Sequence, residues 1–126
     1  MKKDANSLNW FEIPAKDMKR AKKFYENIFG IKMDVMDFMN MTMASFPSKP
    51  GTGKANGALV KSKFHKPSKT GAVVYLNANP RLEKVLDKIP KAGGKITVPK
   101  TQIGEWGYMA FFVDTEGNQV ALHSNK

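Results

Sequence analysis

Two matching runs of sequence decide the fold: WFEIPA at residues 10–15 and VVYLNA at residues 73–78. Each is followed by a helical pattern, which ends at FGI (29–31) in the first half and at GGKI (93–96) in the second. The offset from Trp10 to Val73 is 63 residues, half of the 126-residue chain. Such an internal repeat predicts two copies of one structural unit, with a cavity where the two like halves of sheet face each other.

Alternation and helical spacing predict the element order βαβββ in each half. Strand 8–15 places Phe11, Ile13 and Ala15 on one face, and Asp17 is the expected N-cap of a helix that ends at Gly30. In the second half, Asn79 is the expected cap, Pro80 the first helical residue, and Pro90 with Gly93-Gly94 the end of the helix. The other predicted strands are 32–37, 39–46, 57–62, 72–78, 95–98, 108–113 and 119–124.

Length and composition predict one soluble domain over residues 1–126. The order of strands and helices makes it an α+β domain, with modules 8–62 and 71–124 and an exposed connector at 61–70. No apolar run is long enough to span a membrane, and no apolar run follows the N-terminal lysines as it would in a secretory signal. With no cysteine, a disulfide framework, a thiolate metal site and a cysteine nucleophile are excluded. We therefore expect a cytoplasmic protein without a membrane partner.

The net charge of +10 comes almost entirely from lysine and is spread along the chain. The sequence has only two arginines, whereas reading of bases relies heavily on arginine, and no nucleic-acid-binding motif is present. We expect no specific nucleic-acid partner, while small anionic ligands remain compatible with the charge.

Two motifs give these modules a family resemblance. Residues 24–30 (FYENIFG) end the first helix, and residues 112–118 (FVDTEGN) form the final hairpin. With the duplicated βαβββ order, they resemble the vicinal-oxygen-chelate superfamily of glyoxalase I, extradiol dioxygenases, and fosfomycin and bleomycin resistance proteins. Residues 57–60 (GALV), 74–77 (VYLN) and 99–104 (PKTQIG) are most similar to its uncharacterised glyoxalase-related branch. The resemblance covers residues 8–124 and implies a half-open, cup-shaped mixed sheet with helices outside, and a homodimer.

The resemblance also locates the positions at which metal enzymes of this superfamily hold a divalent ion. In glyoxalase I the ligands are His or Gln, Glu, His and Glu on four strands. Carried over to this chain, those positions fall on Trp10, Ala58 (or Leu59), Val73 (or Ala72) and Ala121. None of these side chains coordinates a metal, so we expect no metal and no other cofactor.

Glu12 and His123 form the best titratable pair that the sequence offers for the cavity face, with Tyr75 as the counterpart of Glu12 in the second half. Imidazole titrates near neutral pH and burial makes a carboxylate more basic, so the pair could act as base and acid. The alternatives are that Glu12 only hydrogen-bonds Tyr75 or a backbone amide, and that His123 is idle near the C-terminus. We expect His65, in the connector, to be a surface residue.

Aromatic and methionine side chains are expected to line the cavity with this pair. Met41 belongs to an alternating methionine strand, and Trp106 to a glycine-flanked loop that is either a lid over the cavity or only a wide hairpin loop. Plain core packing is the alternative for Trp10 and for the methionines. The predicted lining residues are Trp10, Met41, Trp106, Tyr108 and Phe111.

The leading functional hypothesis is a glyoxalase-related protein that binds an unidentified small molecule without a metal and catalyses proton transfer, if it catalyses anything. One alternative is a resistance-type protein that sequesters its ligand, although cationic bleomycin suits this basic chain poorly. The other is a divalent-metal lyase or isomerase with ligands elsewhere. Fold analogy alone does not identify a substrate.

Overall fold

Each half of the chain forms one four-stranded mixed sheet with its helices on one side. The computed structural model describes all residues from Met1 to Lys126. In chain order the elements are β1 (Trp10–Pro14), α1 (Met18–Phe29), β2 (Asp34–Phe38), β3 (Met41–Ser45), β4 (Asn56–Lys61), β5 (Tyr75–Asn77), α2 (Glu83–Leu86), α3 (Ile89–Ala92), β6 (Lys95–Gln102), β7 (Tyr108–Val113) and β8 (Gln119–Ser124). The first sheet has the strand order β1-β4-β3-β2 and the second β5-β8-β7-β6.

The strand register reproduces the sequence repeat. In the first sheet β1 runs parallel to β4 and Glu12 lies opposite Ala58, whereas in the second β5 runs parallel to β8 and Tyr75 lies opposite Ala121. Both members of the second pair lie 63 residues after those of the first. The predicted fold of two βαβββ modules with open sheets is therefore confirmed.

Helix α1 forms as its sequence predicts. The Asp17 carboxylate accepts a hydrogen bond from the Arg20 backbone N–H at 3.0 Å, and Gly30 ends the helix in the left-handed region at φ 64°. The apolar stripe of the helix is buried in one core shared by both modules. Its buried residues are Met18, Ala21, Phe24, Tyr25 and Ile28.

The second helical segment consists of two short helices, α2 and α3, rather than the one helix predicted to begin at Pro80. The predicted cap, Asn79, makes a tertiary contact instead. The Asn79 side chain accepts from the Asn125 backbone N–H at 2.7 Å, and the peptide bond between Asn79 and Pro80 is cis. The Leu82 N–H is instead satisfied by the Ser124 hydroxyl on β8, at 3.0 Å. Pro90 lies in the first turn of α3, where a missing N–H is tolerated, so it does not end the helix.

Several strand boundaries differ from their predictions, most by one or two residues, and three of the differences are informative. The strand predicted from residue 39 begins at Met41, because Met39 and Asn40 form the turn between β2 and β3 with φ values of 51° and 62°. The strand predicted over 72–78 is reduced to Tyr75–Asn77. In contrast, β6 extends past the predicted end at residue 98 to Gln102, since an edge strand with register shifts accommodates Pro99.

A buried polar turn joins the two modules. We call residues 114–118, which connect β7 to β8, the clasp turn. The Tyr25 hydroxyl on α1 donates to the Asp114 carboxylate at 2.8 Å, and the Asn118 amide donates to the Pro14 carbonyl at 2.6 Å. Glu116 accepts from the backbone N–H groups of Lys16 and Asp17 and from the Arg20 guanidinium, at 2.7 to 2.8 Å. The sequence predicted a simple hairpin here; the structure adds its role as a polar contact between the modules.

The clasp turn perturbs the acid–base behaviour of two of its groups. Burial alone would raise the pKa of Glu116, but the Arg20 guanidinium and the two backbone N–H groups hold it below its ordinary value of 4.5. Burial, reinforced by the charge of Asp114, raises the pKa of Tyr25 well above its ordinary value of 10.0.

The helices of this structure are all too short or too polar to span a membrane.

The lowered pKa of Glu116 predicts an acid-sensitive fold. A carboxyl whose pKa is lowered by folding stabilises the protein fully at pH values above its ordinary pKa of 4.5. This stabilisation is lost as the pH falls through the lower pKa of the folded state. We expect the free energy of unfolding, measured by urea titration, to fall on acidification below pH 4.5, and Glu116→Gln to flatten that dependence. Glu105→Gln, at an exposed glutamate, is the matched control. A pH profile of E116Q that matches the wild-type profile would contradict the assignment.

Candidate functional site

The largest cavity lies at the seam between the modules, between β1 and the segment that leads into β5. It is half open, has a volume of about 890 Å³ and is lined mainly by apolar side chains. Phe11 and Phe46 come from the first sheet, Phe29 and Ile31 from the end of α1, and residues 72–77 from the second module. Apolar walls with a few polar groups are typical of small-molecule sites. Its polar lining residues are Glu12, Asn56, Tyr75 and Asn77.

Glu12 has a fixed carboxylate at this cavity. Its Oε1 lies 2.8 Å from Nε2 of His65, and its Oε2 accepts from the Trp10 indole N–H at 3.2 Å. The Glu12 side chain is 32% exposed, so the carboxylate reaches solvent as well as the cavity. Each oxygen has a further acceptor position, which leaves the carboxylate able to meet a ligand.

His65 corrects the expectation that it is a surface residue. Its side chain is only 19% exposed, and its Nδ1 lies 2.6 Å from the Ser62 hydroxyl, which also accepts from the Phe64 N–H. With the proton on Nε2, the imidazole donates to Glu12 and accepts from Ser62. The connector therefore folds back onto β1. Sequence analysis missed this pairing because the two residues are 53 positions apart and no periodic pattern links them.

His123 has a different partner from the one that the sequence suggested. Its Nε2 lies 2.7 Å from the Trp106 carbonyl oxygen, and its neighbours across the strands are Asn77 and Met109. No hydrogen bond joins it to Glu12, whose partners are Trp10 and His65. The structure thus places the two members of the predicted pair in separate hydrogen-bond networks.

Tyr75 lines the same cavity as Glu12. Its ring packs edge-on against Phe111, with centroids 5.8 Å apart, and the side chain is 53% exposed. No hydrogen bond within the chain uses its hydroxyl, which remains available to a ligand. Glu12 and Tyr75 are thus brought to one cavity from equivalent positions of the repeat.

The other predicted lining residues lie outside this cavity. Met41 packs with Met43 beside β4, and Trp106 is 72% exposed in a single 3-10 turn. Tyr108 packs against the main core with the Lys100 ammonium 4.3 Å from its ring centre, so it faces away from Phe111 on β7. Trp10 does not line the cavity itself, but its indole N–H donates a hydrogen bond to Glu12, which does. Sequence analysis missed lining residues such as Phe29 and Phe46. An apolar residue in the sequence predicts burial but does not distinguish a cavity wall from a core.

The chemistry of the donor set does not fit the metal ion of glyoxalase I. Ala58 and Ala121 are fully buried on their strands, and Trp10 and Val73 are partly exposed; none of these side chains offers a lone pair to a metal. No group of three or more His, Asp or Glu side chains in the structure is arranged to hold an ion. A Glu12 and His65 pair supplies only two ligands, fewer than a typical zinc site uses.

Known proteins resemble this chain over nearly its whole length. A glyoxylase-like domain-containing protein from Didymella fabae is 35% identical in an alignment of 121 residues that covers 91% of this chain and 91% of that relative. A putative glyoxylase, CFP32, from Mycobacterium bovis is 28% identical over 90% of this chain, which spans 44% of that relative. Glyoxalase I from Zea mays, as its E144Q mutant, superposes with a TM-score of 0.70 and 25% identity over 93% of this chain and 45% of the maize chain.

The family assignment follows from the match of a whole domain. The family model of the Glyoxalase/Bleomycin resistance protein/Dioxygenase superfamily matches residues 7–122, which include the first module, the connector, the clasp turn and all but the last two residues of the second module. The chain therefore belongs to the Glyoxalase/Bleomycin resistance protein/Dioxygenase superfamily.

Proposed function

We propose that this protein is a metal-independent, small-molecule-binding member of its superfamily and that Glu12 acts in it as the base of a proton transfer. The observation that carries the proposal is the apolar cavity of about 890 Å³ with a fixed carboxylate at its wall. A ligand with an apolar body and one polar reactive group matches a cavity with this lining.

Glu12 suits the role of base because its geometry is set before a ligand arrives. The hydrogen bonds from His65 and Trp10 restrict the carboxylate from two sides, and the remaining lone pairs point away from those donors. Tyr75, on the same cavity, supplies a free hydroxyl that can donate to an oxygen on which negative charge develops. In the proposed step, Glu12 removes a proton from the carbon beside a carbonyl, Tyr75 hydrogen-bonds the resulting enolate oxygen, and the proton then returns to carbon.

Metal independence is supported by the side chains at the four superfamily ligand positions. A proton transfer that relies on Glu12 and Tyr75 needs no ligand at Trp10, Ala58, Val73 or Ala121. The carboxylate and the hydroxyl supply the base and the donor from the chain itself.

The first prediction concerns metal binding. A metal ion raises the melting temperature only if it binds the folded state. Because we propose that the folded protein has no metal site, protein purified without a histidine tag should show no rise in melting temperature with Ni²⁺, Zn²⁺, Mn²⁺ or Fe²⁺. Elemental analysis should find no divalent ion near one per chain. A clear rise in melting temperature with a stoichiometric ion would contradict the proposal and restore the metal lyase alternative.

The second prediction concerns proton transfer itself, measured without knowledge of the substrate. Apolar carbonyl compounds incubated with the protein in D₂O should gain deuterium on the carbon beside the carbonyl. NMR measures the rate of this exchange. Glu12→Gln keeps the size of the side chain but removes the base, so exchange should fall by about 10²-fold or more, with binding and fold retained. Glu105→Gln, at an exposed glutamate outside the cavity, should exchange as the wild type does.

The outcomes of this experiment separate the candidate functions. Exchange that persists in E12Q would rule out Glu12 as the base. Tight stoichiometric binding without exchange by the wild-type protein would favour the sequestering function over catalysis.

Dimerisation is the last part of the proposal. Members of this superfamily often form dimers, and four apolar residues at the β2–β3 hairpin are at least half exposed: Val35, Met36, Phe38 and Met39. A second copy of the chain would remove this apolar surface from water. We expect light scattering to give twice the chain mass of 14.1 kDa, and Phe38→Lys to give a monomer. Phe64→Lys, in the exposed part of the connector, is the control; a wild-type monomer would contradict the proposal.

A further inference from the structure

A basic groove lies between α1 and the two short helices α2 and α3. It consists of two adjoining concavities of about 430 Å³ each, which share Asn27, Lys91 and Ala92. We call this surface the helix groove. None of its lining residues belongs to the large cavity at the seam. Its charged and amide side chains are Arg20, Lys23, Asn27, Lys84, Asp87, Lys88 and Lys91.

Helical spacing brings these side chains to the groove from both walls. Arg20, Lys23 and Asn27 follow one another at i, i+3 and i+7 on α1, which places them on one face of that helix. Lys84, Lys88 and Lys91 are spaced i, i+4 and i+7 along the segment of α2 and α3. Two rows of polar side chains therefore border the helix groove, one on each wall.

The positive charge of the helix groove is not neutralised by the chain. Lys23, Lys84, Lys88 and Lys91 form no ion pair, and Asp87 is the one carboxylate in the lining. Three neighbouring glutamates already have cationic partners. Glu116 pairs with Arg20 at 2.7 Å, Glu26 with Lys22 at 3.0 Å and Glu83 with Lys100 at 2.8 Å. A row of four unpaired lysines faced by a single carboxylate attracts a polyanion.

We propose that the helix groove binds the phosphate backbone of double-stranded nucleic acid without sequence preference. Lysine ammonium groups act as mobile point charges that contact successive phosphates. The guanidinium that could read a base edge, that of Arg20, is held by Glu116, so the surface lacks a free bidentate reader. This inference goes beyond the proposed function and does not depend on it.

The same surface fits a membrane less well. A helix that binds a lipid surface presents large apolar side chains beside its basic residues. No large exposed apolar side chain of this protein belongs to the helix groove; those side chains lie elsewhere, for example at Phe38, Phe64 and Trp106. The groove therefore matches a ligand recognised by charge alone.

The test measures binding of a short, fluorescently labelled DNA duplex by anisotropy over a range of salt concentrations. The groove variant is K84Q/K88Q/K91Q, and its control, K49Q/K54Q/K69Q, removes the same number of charges from loops outside the groove. With about 0.9 counterions released per phosphate contact, four lysines predict a slope of log K against log salt of about −3 to −4. The groove variant should bind at least about tenfold more weakly at low salt, with a slope near about −1.

Each outcome decides the proposal. The control should keep a slope close to the wild-type value, and K23Q, on the opposite wall, should make the slope less negative by about one unit. Absence of DNA binding by the wild-type protein, or equal weakening in both triple variants, would overturn the proposal. Binding to vesicles containing phosphatidylserine but not to DNA would overturn it in favour of a membrane surface. Melting curves of all variants establish that they are folded.

Discussion

The hydrogen bonds of the clasp turn are the interaction on which the rest of the structure depends. Asp114 and Glu116 are buried acids, which a protein tolerates only where hydrogen bonds or opposite charges replace water. Here the Tyr25 hydroxyl, the Arg20 guanidinium and backbone N–H groups do so, and no buried side-chain polar atom in the structure lacks a partner. Because this turn belongs to the second module and its partners to the first, it fixes how the two sheets meet, and hence the cavity at their seam.

The duplicated architecture acquires its chemistry from the differences between its halves. The repeat places Glu12 in one module where Tyr75 stands in the other, each opposite a buried alanine on the neighbouring strand. A symmetric pair of carboxylates would repel, whereas a carboxylate and a phenol offer an acceptor and a donor to one ligand. The connector adds a third element, since its imidazole from His65 holds the carboxylate. The proposed proton transfer therefore uses both modules and the segment between them.

Charge and hydrophobicity are separated on this molecule. Apolar side chains gather at the seam and on the β2–β3 hairpin, whereas unpaired lysines gather on the outer faces of the helices. The helices produce this arrangement because one stripe of each is buried in the shared core and leaves only the polar face outside. The seam cavity and the helix groove are thus independent surfaces, one suited to an apolar small molecule and the other to a polyanion.

The sequence alone determined the module order, both caps of α1 and the strand faces, because these depend on local periodicity and on residues such as Asp17 and Gly30. That Trp10, Ala58, Val73 and Ala121 cannot ligate a metal also follows from residue type alone, whereas their correspondence to the ligand positions of the superfamily is an inference from the resemblance. Only the tertiary structure decided that Ser124 rather than Asn79 satisfies the start of the second helical segment, and that Glu12 pairs with His65 rather than with His123. Such side-chain partners are 42 and 53 residues apart, and the sequence carries no periodic signal for contacts that form only when the modules pack.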